Sequence, residues 1–140
     1  MQTLDYTFLD LPKSAPVVAR LRFRDHIGFD PEPMRALYRR FSPQEAEERV
    51  CLALEEIARC LERASAAHLA SDFERLAEIA AEIETTARLI GVSCVARVAS
   101  DVRTCALRGD DMGTAATMHR LDRITEPSLV EVWANYDDAP

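Results

Sequence analysis

The feature that most constrains the fold is a series of apolar stripes at helical spacing from residue 43 onward. Apolar side chains recur three and four residues apart, which places each stripe along one face of an α-helix. Four helices of this kind must bury their stripes against one another. The stripes are Val50, Leu54, Ile57 and Leu61; Leu76, Ile79, Ile83 and Ile90; Val95, Val98, Val102 and Cys105; and Met112, Met118, Leu121 and Ile124.

Short polar segments mark where these helices begin and end. Residues 42–45 and 71–74 both have capping-box spacing, in which a serine and a glutamate each bind a free backbone amide. Gly91 and Gly109 predict helix C-termini, because glycine adopts the left-handed conformation found there. The predicted helix starts are Ser42, Ser71 with Asp72, Ser93, and Asp110 or Asp111. Connections this short place consecutive helices antiparallel, so we predict an all-α, up-down-up-down four-helix bundle.

The chain outside the four long helices divides into three further parts. Apolar and polar residues alternate in residues 1–30, around two prolines, which predicts an extended arm or a β-hairpin. Asp30 followed by Pro31 predicts a short leading helix to about Phe41. We therefore predict a bundle over 31–136, with an acidic tail over 137–140. Pro127 is expected to kink or restart the last helix.

Composition and charge limit the function. The net charge of −7 and pI near 5.0 would repel phosphate backbones and anionic lipids, so we expect neither nucleic acid nor membrane as a partner. The chain has no long apolar run and no signal-peptide pattern at its start, which predicts a cytoplasmic protein. The four cysteines lack metal-ligand spacing and are interpreted as buried thiols. We expect no metal and no cofactor.

From about residue 50 to residue 133 the sequence resembles the histidine phosphotransfer (HPt) domains of bacterial phosphorelays. As in that family, an acidic residue, Asp72, opens the second bundle helix, and a glycine, Gly91, ends it. The phospho-accepting histidine of the family motif falls on Ala81, nine residues after Asp72 and ten before Gly91. Ile83 matches the leucine of the motif. Glu84 and Thr85 stand where the family has lysine and glycine.

The resemblance implies a two-component signalling module that has lost its reactive group. Phosphotransfer needs a nucleophilic imidazole, and an alanine has none. We therefore expect a protein that is not an enzyme and binds a receiver domain or a sensor kinase without carrying phosphate at Ala81. Ala81 is expected to face solvent, and Glu84, in place of lysine, to weaken docking onto an acidic receiver pocket. The predicted docking surface is Ala77, Glu78, Ala81, Glu82, Glu84, Thr85 and Arg88.

Two alternatives remain open from the residues. In the first, His68 or His119 is the phosphate acceptor, although each lacks most of the motif around it. In the second alternative, the chain is a helical structural or oligomerisation module, in which the arginine-rich segment 17–24 pairs across a homodimer. The glutamates at four-residue spacing, Glu74, Glu78 and Glu82, are interpreted as a solvated helix face.

Overall fold

The computed structural model describes the backbone of residues 28–137 and the side chains of residues 28–134. The described part is helical, and its extended pairing is limited to a single antiparallel bridge between Phe29 and Val92. The helices are α1 (Glu32–Arg40), α2 (Pro43–Leu69), α3 (Phe73–Leu89), α4 (Ser93–Leu107) and α5 (Asp111–Asp137). The all-α prediction is confirmed for these residues. The predicted arm or hairpin, up to residue 27, and the tail from residue 138 lie outside them.

The second helix begins where local sequence predicts, and the first begins one residue later, because Pro31 rather than Asp30 occupies its cap position. The Glu32 amide donates to an Asp30 carboxylate oxygen at 3.1 Å, which ties the start of α1 to the predicted aspartate. At α2 the complete capping box forms. The Ser42 hydroxyl accepts from the Glu45 amide at 3.2 Å, and the Glu45 carboxylate accepts from the Ser42 amide at 3.3 Å. These bonds satisfy backbone amides that have no partner inside a helix.

The three turns between the long helices repeat one hydrogen-bonding pattern. In each, two successive amides after the helix donate back to carbonyls in its last turn, and the first of the two residues has positive φ, as in a Schellman motif. The residues with positive φ are Ser71 (55°), Gly91 (83°) and Gly109 (68°). Written from the donating amide to the accepting carbonyl, the bonds are Ser71 to His68 and Asp72 to Ala67; Gly91 to Arg88 and Val92 to Ala87; and Gly109 to Ala106 and Asp110 to Cys105.

Two predicted helix starts are corrected by this pattern. The capping box at 71–74 does not form, because Ser71 occupies the left-handed position that ends α2. Asp72 caps α3 instead, and its carboxylate accepts from the Arg75 amide at 3.2 Å. Ser93 is the first residue of α4 rather than its cap, and the cap residue Val92 provides no side-chain hydrogen bond. The residue in the left-handed position is thus unavailable to cap the next helix, whereas the residue after it, Asp72 or Asp110, both completes the turn and caps.

The last helix is a single element. Asp110 provides its cap, with a carboxylate oxygen accepting from the Gly113 amide at 2.9 Å. α5 runs through Pro127 without restarting. Proline has no amide hydrogen, so it removes one backbone hydrogen bond of the helix. The nearby Thr125 and Ser128 are buried, and their hydroxyls donate to the carbonyls of Leu121 and Ile124.

The predicted stripes form the core. Most of the largest fully buried side chains belong to these stripes: Ile57, Leu76, Ile79, Ile83, Ile90, Leu121, Val50, Val95, Val98 and Val102. Met112 is an exception and is exposed, because it lies in the first turn of α5 at the end of the bundle. The most extensive helix contact is between α3 and α4, and the contact between α2 and α5 is slight. Both α3 and α4 bury several alanines, whose small side chains permit close packing.

Among the described residues, no helix combines sufficient length with sufficient apolar character to cross a bilayer.

Candidate functional site

Ala81 lies in the middle of α3 and is partly exposed. Ile79 and Ile83, two residues to either side, are each only 1% exposed and belong to the core. At 100° per residue, Ala81 is turned well away from both isoleucines. A longer side chain at position 81 would therefore extend toward solvent.

The predicted surface around Ala81 is smaller than the sequence suggested. Ala77 is 5% exposed and Ala80 is 1% exposed, and both belong to the apolar core. Ala77 was predicted as part of the docking surface, and this is wrong because the close packing of the helices covers it. The remaining exposed residues of the predicted set are Glu78, Glu82, Thr85 and Arg88, with Ala81 and Glu84 partly exposed.

Glu84 is neutralised from two sides. Its side chain is 17% exposed, and one carboxylate oxygen accepts a hydrogen bond of 3.1 Å from Arg88 on the same helix. The other oxygen lies 3.3 Å from the Arg103 guanidinium on α4, close enough for an ion pair but without hydrogen-bond geometry. One carboxylate thus faces two guanidinium groups, which neutralise its charge. Sequence reasoning identified Arg88 but missed Arg103, which lies on another helix.

Thr85 and Ala81 are linked through the helix backbone. The Thr85 hydroxyl donates to the Ala81 carbonyl at 3.1 Å, a bond of the kind that threonine makes one turn back along a helix. The Thr85 hydroxyl is therefore already hydrogen-bonded to the helix backbone. Ala81 and Thr85 form a small apolar area bordered by Glu78 and Arg88.

Glu82 does not project freely into solvent as the sequence suggested. It faces α2, where its carboxylate lies 3.4 Å from the Arg63 guanidinium and 3.8 Å from the Cys60 sulfur. Cys60 is itself 3.2 Å from the nearer carboxylate oxygen of Glu56, one turn earlier on α2. We call these four residues, Glu56, Cys60, Arg63 and Glu82, the α2–α3 polar cluster.

The cluster surrounds a fully buried thiol with charged groups. Burial first, and then the nearby carboxylates of Glu56 and Glu82, together raise the pKa of Cys60 to about 12. The pKa of Glu56 is lowered, chiefly by its 2.6 Å hydrogen bond from Arg59. The thiol is therefore protonated at neutral pH while Glu56 is ionised.

The donor atoms of Glu56, Cys60 and Glu82 all lie within 4.8 Å of one another. Among the described residues this is the one group of three or more His, Cys, Asp or Glu side chains in such proximity. Sequence reasoning missed it because Glu82 is 22 residues from Cys60. The only sequence signal is the four-residue spacing of Glu56 and Cys60, which is common on helices.

The two histidines of the described region lie elsewhere. His68 is near the end of α2, partly exposed, and borders a cleft with Ser71, Phe73 and Asp111. His119 is exposed on α5. Neither histidine is on α3.

Comparison with protein-family models, with curated proteins and with solved structures gives no match for this chain. The resemblance to HPt domains therefore depends on the motif residues of α3 and their spacing alone.

Proposed function

We propose that this protein is an HPt-like module of a cytoplasmic phosphorelay, with an up-down-up-down bundle, that binds a receiver domain without accepting phosphate at position 81. The observation that carries the proposal is a partly exposed alanine at the motif position, between an aspartate cap and a terminal glycine. The module lacks the imidazole nucleophile and keeps a surface on which the receiver binds.

The charges next to Ala81 support a receiver domain as the partner. The phosphorylation pocket of a receiver is acidic, so an HPt domain presents a positive side chain, its motif lysine, to that pocket. Here Glu84 occupies the lysine position, but Arg88 and Arg103 pair with its carboxylate and neutralise it. The two arginines thereby reduce the repulsion that Glu84 alone would cause.

The small apolar area of Ala81 and Thr85 supports the same partner. A histidine at position 81 would reach into the receiver pocket, whereas an alanine leaves that space to water or to the phosphoryl group. The complex then contains no acceptor atom at the helix position, and the phosphoryl group stays on the receiver. The module competes with active HPt domains for the receiver or protects its phosphorylated form.

The test uses purified receiver domains encoded by the same genome, each phosphorylated with acetyl phosphate and Mg²⁺. We expect at least one receiver to bind the wild-type protein in calorimetry, with no acid-labile phosphate transferred to it. Ala81→Arg should lower the affinity at least tenfold, because the long side chain blocks the docking surface. Ala116→Arg, at an exposed alanine of α5, is the matched control and should bind as wild type does.

A further variant tests whether position 81 is the one that faces the phosphorylation pocket of the receiver. Ala81→His should acquire acid-labile phosphate from the receiver that binds. Equal loss of affinity in Ala81→Arg and Ala116→Arg, or no receiver binding at all, would reject the proposal. Phosphate on the wild-type chain that disappears in His68→Gln or His119→Gln would show an active phosphotransfer protein instead.

A further inference from the structure

The α2–α3 polar cluster has the donor arrangement of a metal site. Glu56 and Cys60 are one helical turn apart on α2, and Glu82 approaches from α3. Around a tetrahedral ion with bonds of roughly 2.0–2.3 Å, neighbouring ligand atoms are about 3.3–3.8 Å apart. The Cys60 sulfur lies 3.2 Å from the Glu56 carboxylate and 3.8 Å from the Glu82 carboxylate. The second separation falls within this range and the first is just below it, so small side-chain adjustments would place the three donor atoms around one ion.

A positive charge already lies at these donors. The Arg63 guanidinium is 3.4 Å from the Glu82 oxygen and 3.8 Å from the Cys60 sulfur. Its side chain is 38% exposed, so it can turn into solvent when another cation takes the position. Arg59 binds the other Glu56 oxygen, Oε1, and leaves Oε2 directed at Cys60. The arrangement attracts cations and its present occupant is exchangeable.

The chemistry of the donors selects the kind of cation. A thiolate is a soft ligand that favours zinc-like ions over magnesium or calcium, and two carboxylates are compatible with zinc. The Cys60 thiol would lose its proton to solvent as the metal–sulfur bond forms. Two carboxylates and one thiolate carry three negative charges, which a divalent ion and the nearby Arg59 balance.

We propose that Glu56, Cys60 and Glu82 bind a thiophilic divalent cation such as Zn²⁺, with Arg63 as the competing cation. The ion links α2 to α3 beside the docking surface and leaves a fourth position for water. This inference goes beyond the proposed function and does not depend on it.

The experiment titrates the full-length reduced protein with Co²⁺, a spectroscopic substitute for Zn²⁺. We expect one Co²⁺ per chain, a near-ultraviolet charge-transfer band from the cobalt–thiolate bond, and loss of that band when Zn²⁺ is added. A wild-type protein that binds Co²⁺ without a thiolate band, or does not bind it, overturns the proposal.

Four variants locate the site. Cys60→Ala should abolish the band, and Glu82→Gln, at an exposed side chain that folding does not require, should weaken Co²⁺ binding at least tenfold. Cys51→Ala is the matched control, because Cys51 lies on the same helix and is only partly buried. Arg63→Gln should strengthen binding severalfold by removing the competing charge.

The opposite results are equally decisive. A band that persists in Cys60→Ala, a band lost in Cys51→Ala, or full affinity in Glu82→Gln would place the metal elsewhere and overturn the proposal. Unchanged or weaker Co²⁺ binding in Arg63→Gln would contradict the proposed competition between Arg63 and the metal ion. Circular dichroism of each variant separates loss of ligand from loss of fold.

Discussion

The backbone amide of Asp30 donates a hydrogen bond of 2.7 Å to the carbonyl of Gly91. The two backbones are so close at this point that a Cβ on Gly91 would overlap the Asp30 carbonyl oxygen. Beside this contact Phe29 forms its bridge to Val92, and the Cys94 amide donates to the Gly28 carbonyl at 3.2 Å. The segment that leads into α1 is thereby fixed to the turn between α3 and α4, at the end of the candidate docking helix.

This contact predicts different costs for two glycine substitutions. Gly91 and Gly109 both have positive φ, but only Gly91 has a backbone neighbour where its Cβ would lie. Gly109→Ala should lose roughly 1–2 kcal/mol of unfolding free energy, from the left-handed conformation alone. Gly91→Ala should lose at least about 2 kcal/mol more, because Asp30 must also move. Urea unfolding of both variants measures the difference, and equal losses would contradict the close approach.

Ser71 predicts a stabilising substitution at the equivalent position of the first turn. It has φ of 55°, where the other two turns have glycine. Ser71→Gly should raise the unfolding free energy by about 0.5 kcal/mol, since relief of backbone strain exceeds the extra entropy of the unfolded chain. Thermal unfolding measures this. Ala70→Gly, one residue earlier at φ of −84°, is the control and should destabilise the protein.

The capping box of α2 predicts that removal of a single hydroxyl lowers the unfolding free energy measurably. Ser42→Ala should cost about 1 kcal/mol, because the Glu45 amide loses its acceptor. Ser93→Ala is the matched control and should change stability by less than about 0.5 kcal/mol, since Ser93 does not cap α4. Chemical unfolding of both variants at pH 7 gives the comparison, and a larger loss in Ser93→Ala would contradict the assignment of the caps.

The same box predicts a dependence on acid pH. Hydrogen bonds from the Ser42 hydroxyl and amide lower the pKa of Glu45 below its ordinary value of 4.5. A lowered pKa in the folded state means that the contribution of Glu45 is fully present above pH 4.5 and is lost as the pH falls through the folded-state value. Thermal unfolding of wild type and Glu45→Gln should therefore converge in acid, and a constant difference between them would contradict this linkage.

Cys60 predicts a dependence on alkaline pH with the opposite sign. Its pKa is raised from 9.0 to about 12 in the folded protein, chiefly by burial. The protonated thiol therefore favours the fold fully below pH 9, and this contribution is lost as the pH rises from 9 toward 12. The stability of Cys60→Ala should fall less steeply over that range than the stability of wild type. Identical slopes in wild type and Cys60→Ala would contradict the raised pKa.

Much of the helical framework could be predicted because its signals are local. The Ser42 and Glu45 side chains bind amides three residues away, and Gly91 and Gly109 adopt a conformation that other residues avoid. The predictions at Ser71 and Ser93 were wrong because one turn of three residues must both end a helix and start another. Local spacing does not show which of two adjacent residues takes each role.

The candidate site was less predictable. Ala77 and Ala81 are one helical turn apart, yet Ala77 is in the core and Ala81 is partly exposed. The helical period places both on the same side of α3, and the difference arises from how closely its neighbours pack along its length. The pairs that determine the charge around Ala81, Glu84 with Arg103 and Glu82 with Arg63, each join different helices.

The sequence by itself determined where the helices form, which stripes they bury and that Ala81 lies in the middle of α3. Those properties depend on hydrogen bonds and side-chain spacing within a few residues. The tertiary structure alone decided that Asp30 lies against Gly91, that two arginines neutralise Glu84, and that Glu82 joins Glu56 and Cys60. Such contacts depend on the rotation and axial register of one helix against another, which a helical repeat of 3.6 residues does not specify.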